Sequence, residues 1–318
     1  ISARQYLRTW RHEHPIDKNL PKIAVIDAQG DIVDGRGTAT NIGGETYARL
    51  FDAAAHSSAV KAVVLRVNSP GGSASAAQRI GRAEARLKAA GKPFVVSMST
   101  MAASGGYWIS MDANRIYAEP TTITGSIGIF ALVPNLTPLL TKLGIHSDGV
   151  GTTPLAGAFR MDAPLTDEQS ALIQSRVDFG YAEFTQGVAS GRHTTLSYVD
   201  RIAQGRVWSG AAAKQRGLVD AFGGLHAAVA AAASLAHLEP NHYSIENLSA
   251  VGGASQLIGH FLHPRLSIRA AVGAATGLPH AWSGPLVTAA EELKNFNDPH
   301  DAYAYCFCQL TPPSLPPG

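Results

Sequence analysis

The chain has 318 residues, of which 45% are hydrophobic and 16% are charged, so it carries enough apolar material for one large or two modest domains and is not a mainly disordered polypeptide. Its 26 Lys and Arg residues against 24 Asp and Glu residues leave a net charge of +2, which excludes a strong positive field for nucleic acid or an anionic membrane. The two cysteines, Cys306 and Cys308, are too few for a disulfide framework.

Strands alternate with helices through the first half of the chain. In chain order, the apolar runs and amphipathic spacings predict a strand at Lys22–Asp27, a helix at Gly43–Ser57, a strand at Ala62–Val67, a helix at Ser75–Ala90, a strand at Phe94–Ser99, a helix from about Ser104 to Met111, and strands at Arg115–Ala118 and Gly125–Phe130. This alternation favours an α/β domain whose mostly parallel sheet is covered by helices on both faces.

The second half is predicted to be more helical. Helices are expected at Leu165–Gly191, Ser209–Arg216 and Leu225–Leu238, and the first of them opens with the N-cap and acidic pattern typical of a helix start. From about Glu239 the glycines and prolines predict an irregular extension, 239–318, that packs on the same domain or on a neighbouring protomer.

Two uncharged runs, Phe94–Met111 and Pro120–Thr141, raise the question of a membrane span. Both contain Gly, Ser, Thr or Pro, whereas a spanning helix needs about 20 mainly apolar residues. Buried strand, turn and helix segments are therefore expected at these positions, and the chain itself is expected to be soluble.

Glycine-rich turns follow two neighbouring predicted strands, N-S-P-G-G-S at 68–73 and S-T-M-A-A-S-G-G-Y at 99–107. Ligands of open α/β sheets bind at the carboxyl ends of the strands, so both turns can face one site. Glycine amides there are suited to stabilising an oxyanion, and small neighbours leave room beside Ser104 for a substrate carbonyl. The alternative is that both segments are ordinary tight turns. Asn68 and Ser69, although they lie inside the motif, are expected to shape the turn through an Asx-type bond rather than to react.

Five ordered blocks carry a family resemblance: V-L-R-V-N-S-P-G-G-S-A at 64–74, S-M-S-T-M-A-A-S-G-G-Y-W-I-S at 97–110, T-G-S-I-G-I at 124–129, the stretch 205–224, and F-N-D-P-H-D-A-Y-A-Y-C at 296–306. Together they resemble the signal peptide peptidase A family of serine peptidases, in the crotonase-like (ClpP-type) superfamily. The resemblance implies a fold of repeated ββα units with a helix-covered sheet. It divides the chain into a lead-in from a preceding half (1–20), the peptidase domain (21–238) and the extension.

The same resemblance implies roles for individual residues. Ser104 matches the nucleophile, Gly72 and the Gly105 amide match the oxyanion hole, and the run Gly125, Ser126, Ile127 and Gly128 matches the strand that lines the substrate groove. An extended peptide is expected to bind there by strand addition.

The general base is the departure from the family pattern. The family uses a lysine in a G-T-x-K-S-A-like segment, but here the matching stretch 151–156 has Pro154 at that position. Long-form relatives consist of two homologous halves, the first with the lysine and the second with the serine. The lysine is therefore expected from an absent N-terminal half, and the isolated chain is expected to be nearly inactive because a serine without a base is a weak nucleophile.

Other bases in this chain are less well supported. Lys142 and Lys214 are predicted on helix surfaces. The pairs that follow Ser104 in triad order, but in no recognisable motif, are His146 with Asp162 or Asp178, and His193 with Asp200. Cys306 and Cys308 have no companion ligands at metal spacing, so neither a metal nor a cofactor is expected.

The leading functional hypothesis is a serine endopeptidase of the Ser/Lys type that digests hydrophobic peptides such as cleaved signal peptides. The resemblance implies a homo-oligomer at the periplasmic face of a bacterial inner membrane, anchored through the missing N-terminal part, with no nucleic-acid partner. The alternative is a non-catalytic crotonase-type scaffold or binding module. Acyl-CoA chemistry is disfavoured because it does not need a serine at position 104 and neither glycine turn carries an acidic residue.

Overall fold

The computed structural model describes residues 2, 5, 6, 9, 19–153, 155–157, 160–249 and 295–308. Most of the predicted lead-in, 1–20, therefore lies outside the described residues, as do Pro154 and the parts 250–294 and 309–318 of the predicted extension. The described elements are, in chain order, β1 (Lys22–Gln29), β2 (Ile32–Val33), β3 (Ile42–Gly43), α1 (Gly44–His56), β4 (Val60–Ser69), β5 (Gly71–Ser73), α2 (Ala74–Ala89), β6 (Phe94–Ala103), α3 (Gly105–Trp108), β7 (Arg115–Ala118), β8 (Ile123–Gly125), β9 (Phe130–Ala131), α4 (Thr137–Lys142), α5 (Asp167–Gly191), α6 (Leu196–Ile202), β10 (Val207–Ser209), α7 (Gly210–Gln215), β11 (Ala221–Phe222), α8 (Leu225–Leu235), β12 (Ser244–Leu248) and β13 (Ala302–Tyr305).

The larger sheet has the order β10-β8-β6-β4-β1-β12, with β7 beside the first part of β6 and β11 beside β7. Its pairings are parallel apart from β10 with β8. Because successive side chains of a strand point to opposite faces, β1 sends Ala24 and Ile26 into one core and Ile23 and Val25 into another. Helices α1 and α2 cover the first face and α8 covers the second, so the prediction of a mixed α/β fold with a helix-covered sheet is confirmed.

A smaller sheet of five short strands has the order β3-β2-β5-β13-β9. Strand β13 is antiparallel to both of its neighbours, with Ala304 opposite Gly72 on β5 and Tyr303 opposite Phe130 on β9. This sheet therefore brings residues 303–305 against the first glycine turn.

Most of the predicted elements are present, and three predictions are wrong in part. The helix predicted from about Ser104 to Met111 is only the single turn α3. The predicted strand Gly125–Phe130 is instead the ends of two short strands in different sheets, β8 and β9. The stretch 239–318, predicted as irregular, supplies β12 to the edge of the larger sheet and β13 to the middle of the smaller one.

The two uncharged runs are folded segments, as predicted. Phe94–Met111 contains β6 and α3, and Pro120–Thr141 contains β8, β9 and α4. None of the helices in the described part of the chain combines the length and apolarity that crossing a bilayer requires. Large apolar side chains on the segment between β9 and α5 are exposed to solvent, among them Leu139, Leu143 and Val150.

Candidate active site

Ser104 lies at the junction between β6 and the single-turn helix α3. Its backbone has φ 55° and ψ −115°, a combination that non-glycine residues rarely adopt. Two hydrogen bonds hold the junction, since the Ser104 amide donates to the Gly125 carbonyl (2.8 Å) and the Trp108 amide donates to the Ser104 carbonyl (2.8 Å). A serine on such a strained strand-to-helix turn is a typical position for a nucleophile.

The two glycine turns are in direct contact. A Cβ built on Gly105 would lie 3.1 Å from the Gly72 nitrogen and 3.1 Å from the Gly71 Cα, and one on Gly71 would lie only 2.6 Å from the Gly105 nitrogen. Gly71 and Gly72 also have positive φ angles of 105° and 153°. Only glycine allows this close approach, which brings the amides of Gly72 and Gly105 to one place beside Ser104.

Ser69 shapes the first turn, as predicted, whereas the Asn68 side chain bonds to the neighbouring strand and not within the turn. The Ser69 hydroxyl accepts a hydrogen bond from the Gly71 amide (3.1 Å), and the Asn68 side-chain oxygen accepts one from the Met101 amide (3.2 Å). The second bond ties the end of β4 to β6, so these neighbouring residues bend the chain and fix the distance between the two turns.

The run from Gly125 to Gly128 is not a continuous strand, and its proposed place in the substrate groove stays a prediction. Gly125 ends β8, and both Gly125 (φ 76°) and Ser126 (φ 51°) leave the extended conformation. The Ser126 amide donates to the Arg206 carbonyl (2.7 Å), and the Ile127 carbonyl accepts from the Gly205 amide (2.9 Å). These two backbone groups are therefore occupied, and the next strand, β9, begins two residues after Gly128.

Strand β13, which lies between β5 and β9, was not predicted from the sequence. Besides its pairing with β5 and β9, β13 is held by Asp298, whose buried carboxylate accepts hydrogen bonds from the Ser73 hydroxyl (2.5 Å) and the Ser75 amide (2.8 Å). The alternation of alanine and tyrosine in Ala302–Tyr305 was the available signal, because a period of two is typical of a strand.

Aromatic side chains gather on one face of β13. The contacting rings have centroids 5.0 to 6.4 Å apart and belong to Phe130, Phe296, Tyr303, Tyr305 and Phe307. Burial raises the pKa of Tyr303 to about 12, so this phenol stays neutral. Beside the cluster is a cavity of about 530 Å³, whose lining includes Ser126, Gly128, Phe130 and Tyr305 through Cys308.

Within the described part of the chain, no side chain donates to or accepts a hydrogen bond from the Ser104 hydroxyl. The described lysines lie elsewhere: Lys22 pairs with Glu246, Lys88 with Asp112, Lys92 donates to the Ala54 and Ser57 carbonyls, Lys214 lies over the Phe222 ring, and Lys61 and Lys142 are exposed. The prediction that Lys142 and Lys214 are helix-surface cations is confirmed. Pro154, at the expected lysine position, lies outside the described residues.

The histidine alternatives are not assembled. Asp162 accepts hydrogen bonds from Arg160 and Ser147, which hold the pKa of its carboxyl far below the ordinary value, and Asp200 accepts one from Tyr181. In the described residues neither His146 nor His193 forms a hydrogen bond with these carboxylates. No group of three or more His, Cys, Asp or Glu residues among those described is placed to hold a metal ion.

The sequence is similar to those of known proteases. A model of peptidase family S49 matches residues 86–239. "Protease 4" of Salmonella typhi is 44% identical over 294 residues, which cover 89% of this chain and 46% of that protein. "Putative protease MJ0651" of Methanocaldococcus jannaschii is 34% identical over 221 residues, which cover 67% of this chain and 70% of that protein.

Among solved structures, a ClpP1 variant from Listeria monocytogenes superposes with a TM-score of 0.43 at 13% identity, covering 64% of this chain and 94% of that one. The chain spans about half the length of the Salmonella protease, although most of its own residues are matched there.

Proposed function

This chain belongs to peptidase family S49, and on that basis we propose that it supplies the serine nucleophile of a Ser–Lys endopeptidase whose lysine comes from an N-terminal homologous half. Ser104 attacks the carbonyl carbon of a peptide bond, and the lysine takes the proton from its hydroxyl. The amides of Gly72 and Gly105 receive the oxyanion that forms. The lysine then returns the proton to the departing amine, and water releases the acyl group from Ser104.

One observation carries this proposal: the strained Ser104 turn lies against the backbone of Gly71 and Gly72. Backbone strain of about 1–3 kcal/mol persists only where the surrounding structure enforces it, and such strain is concentrated at functional sites. The contact between the two glycine turns gives a reason for it, since it sets two amide donors beside the one hydroxyl.

The division of labour rests on two further facts. The described lysines are engaged or exposed elsewhere, and the chain covers 46% of the length of its Salmonella relative, which leaves room in the whole protein for a second homologous half. A serine hydroxyl without a neighbouring base reacts slowly, so the isolated chain is expected to have little activity.

Hydrophobic peptides are the proposed substrate class. The aromatic face around Phe130 and the low charge of the groove residues suit apolar side chains, and cleaved signal peptides are such peptides. With the substrates we propose the rest of the family setting: a homo-oligomer at the periplasmic face of a bacterial inner membrane, held there by the N-terminal half.

The test is labelling of Ser104 by a fluorophosphonate probe, together with hydrolysis of apolar peptides, when the chain is co-expressed with a lysine-bearing N-terminal half. Both activities are expected only in the assembled pair and are expected to disappear in Ser104→Ala. Ser99→Ala is the matched control, because it changes a serine on the same strand whose side chain takes no part in the proposed site.

A second candidate function, a non-catalytic scaffold, is favoured by the absence of a lysine contact at Ser104 within the described residues. If the assembled pair neither reacts with the probe nor hydrolyses the peptides, the result would support the scaffold function. Activity that survives Ser104→Ala would exclude Ser104 as the nucleophile and refute the proposal.

A further inference from the structure

The position between β5 and β9 is where an extended peptide substrate would pair, yet a segment of this chain already fills it. Strand β13 lies antiparallel to both neighbours, and the Cys306 amide donates to the Pro70 carbonyl at 2.8 Å. Both strand edges that strand addition would use are therefore occupied by residues 302–306.

The register of β13 brings one carbonyl to the candidate oxyanion hole. Hydrogen-bonded pairs alternate along an antiparallel ladder, so the bond between Cys306 and Pro70 makes Ala304 and Gly72 the next such pair. A Cβ built on Gly105 would lie 3.0 Å from the Ala304 carbonyl oxygen, and one on Gly71 would lie 2.1 Å from the same atom. The Ala304 oxygen is thus held among Gly71, Gly72 and Gly105.

A separate group of contacts fastens the strand. The Asp298 carboxylate receives hydrogen bonds from Ser73 and Ser75 at the start of α2 and from the His300 amide (2.8 Å). Farther from the strand, the Asn297 side-chain oxygen accepts from the Asp34 amide (2.8 Å). These bonds join the segment before β13 to Ser73 at the end of β5, to Ser75 in α2 and to Asp34.

The far end of the strand is packed less tightly. Phe307 is 73% exposed, and the cavity of about 530 Å³ separates the segment from Tyr305 to Cys308 from the loop that contains Ser126 and Gly128. One end of the strand therefore borders open space, and the other is anchored by Asp298 and Asn297, whose hydrogen bonds must break if the strand is to leave as a unit.

We propose that β13 is a built-in occupant of the peptide cleft, with the Ala304 carbonyl in the place of the carbonyl to be attacked, and that an apolar peptide must displace it to bind as an antiparallel strand. The inference rests on the proposed peptidase function for the meaning of the cleft. Asp298 is the positioning residue of the device, since it holds the strand and touches neither Ser104 nor the glycine amides.

The test measures binding rather than turnover. The full chain carrying Ser104→Ala is titrated with a fluorescent peptide of the sequence of residues 300–305, His-Asp-Ala-Tyr-Ala-Tyr, and with a scrambled version. Adding Asp298→Ala is expected to tighten binding of the ordered peptide by about tenfold or more, because apparent affinity rises with the fraction of molecules whose cleft is open. Asp52→Ala, which breaks the exposed ion pair with Arg86, is the matched control and is expected to leave binding unchanged.

Hydrogen exchange on the same proteins reports whether the strand has left. Support requires lost protection at 295–308, retained protection in β4 and β6, and tighter binding. Lost protection at 295–308 without tighter binding overturns the inference, as does loss of protection in β4 and β6, which would make β13 an integral part of the core.

A second variant, Ala304→Pro, removes a ladder donor from the strand itself. If 295–308 stays protected in both variants, the strand is not displaceable and the inference is also overturned. Because none of these measurements needs catalysis, their failure is distinguishable from failure of the peptidase proposal, which the co-expression assay decides.

Discussion

Replacing Ser104 by glycine should stabilise the protein relative to replacing it by alanine. Both substitutions delete the hydroxyl, so their difference reports only the Cβ and the backbone. The native φ of 55° and ψ of −115° cost a residue with a Cβ about 1–3 kcal/mol, whereas glycine pays nothing for the conformation. Glycine loses roughly 0.5–1 kcal/mol more conformational entropy on folding, which leaves a net advantage of about 1 kcal/mol for Ser104→Gly over Ser104→Ala.

Urea denaturation of the two variants gives this difference directly, and a rise in Tm of roughly 2 °C should accompany it. Ser110 is the control position, because it is buried, lies six residues away and lacks a positive φ. There, Ser110→Gly is expected to be less stable than Ser110→Ala by roughly 0.5–1 kcal/mol. If glycine is also the worse residue at position 104, the strained turn does not exist in solution and the argument for a nucleophile there loses its structural basis.

Gly105→Ala should lower peptide hydrolysis by the assembled enzyme about 10²-fold, because the added Cβ would crowd the oxyanion position. Gly81→Ala is the control and should leave the rate unchanged, since a Cβ at that position has only one neighbour, at 4.0 Å. Equal rates for the two variants would contradict this prediction. Glu84→Met should stabilise the protein at neutral pH, since burial, with Asp112 nearby, raises the pKa of a Glu84 carboxyl that has no hydrogen-bond partner among the described residues. Because the folded state binds this proton more tightly, the wild type loses stability as pH rises above the ordinary glutamate pKa of about 4.3, and denaturation curves of wild type and variant should converge below that pH. Arg192→Met should lower the free energy of unfolding by about 3–5 kcal/mol, because it leaves the partly buried charge of Asp220 without its partner. Arg192 and Asp220 are 2.6 Å apart, and their side chains are only 8% and 19% exposed. A loss under about 1 kcal/mol in denaturation experiments would show that the pair is hydrated.

The strands of the parallel core could be predicted from the sequence because each is marked by a local pattern of residues. Lys22–Asp27, Ala62–Val67 and Arg115–Ala118 are short apolar runs between turn residues, and each is a strand in the structure, the last with the predicted bounds. The glycine turns were readable for the same reason, since Gly-Gly after a buried strand specifies a particular backbone shape.

Long-range pairing was not readable in this way. Strand β13 has only four residues, and its anchor Asp298 is 225 positions from Ser73 in the chain, so no local pattern indicates the partner. The strand predicted at Gly125–Phe130 failed for a different reason. Apolar alternation continues through the segment, but the left-handed conformations of Gly125 and Ser126 interrupt it, and those are imposed by contacts with residues 204–206.

The base that would accept the proton of Ser104 is the third feature that could not be predicted from the sequence. The motifs around Ser104, Gly72 and Gly105 predict a nucleophile and its oxyanion donors from one short stretch of sequence, but a base is defined by proximity in space. The described residues place no lysine, histidine or carboxylate in hydrogen-bond contact with the Ser104 hydroxyl, so the sequence and the described segments leave the base as a proposal.

The late place of β13 in the chain has a consequence for biosynthesis. Its partners β5 and β9 leave the ribosome before it, and much of the parallel core can form while residues 302–305 are still being translated. During that interval the glycine-lined edge is unpaired and open to any extended chain nearby. Vectorial synthesis therefore sets the order of events: the turn that contains Ser104 is synthesised before the strand that pairs beside it.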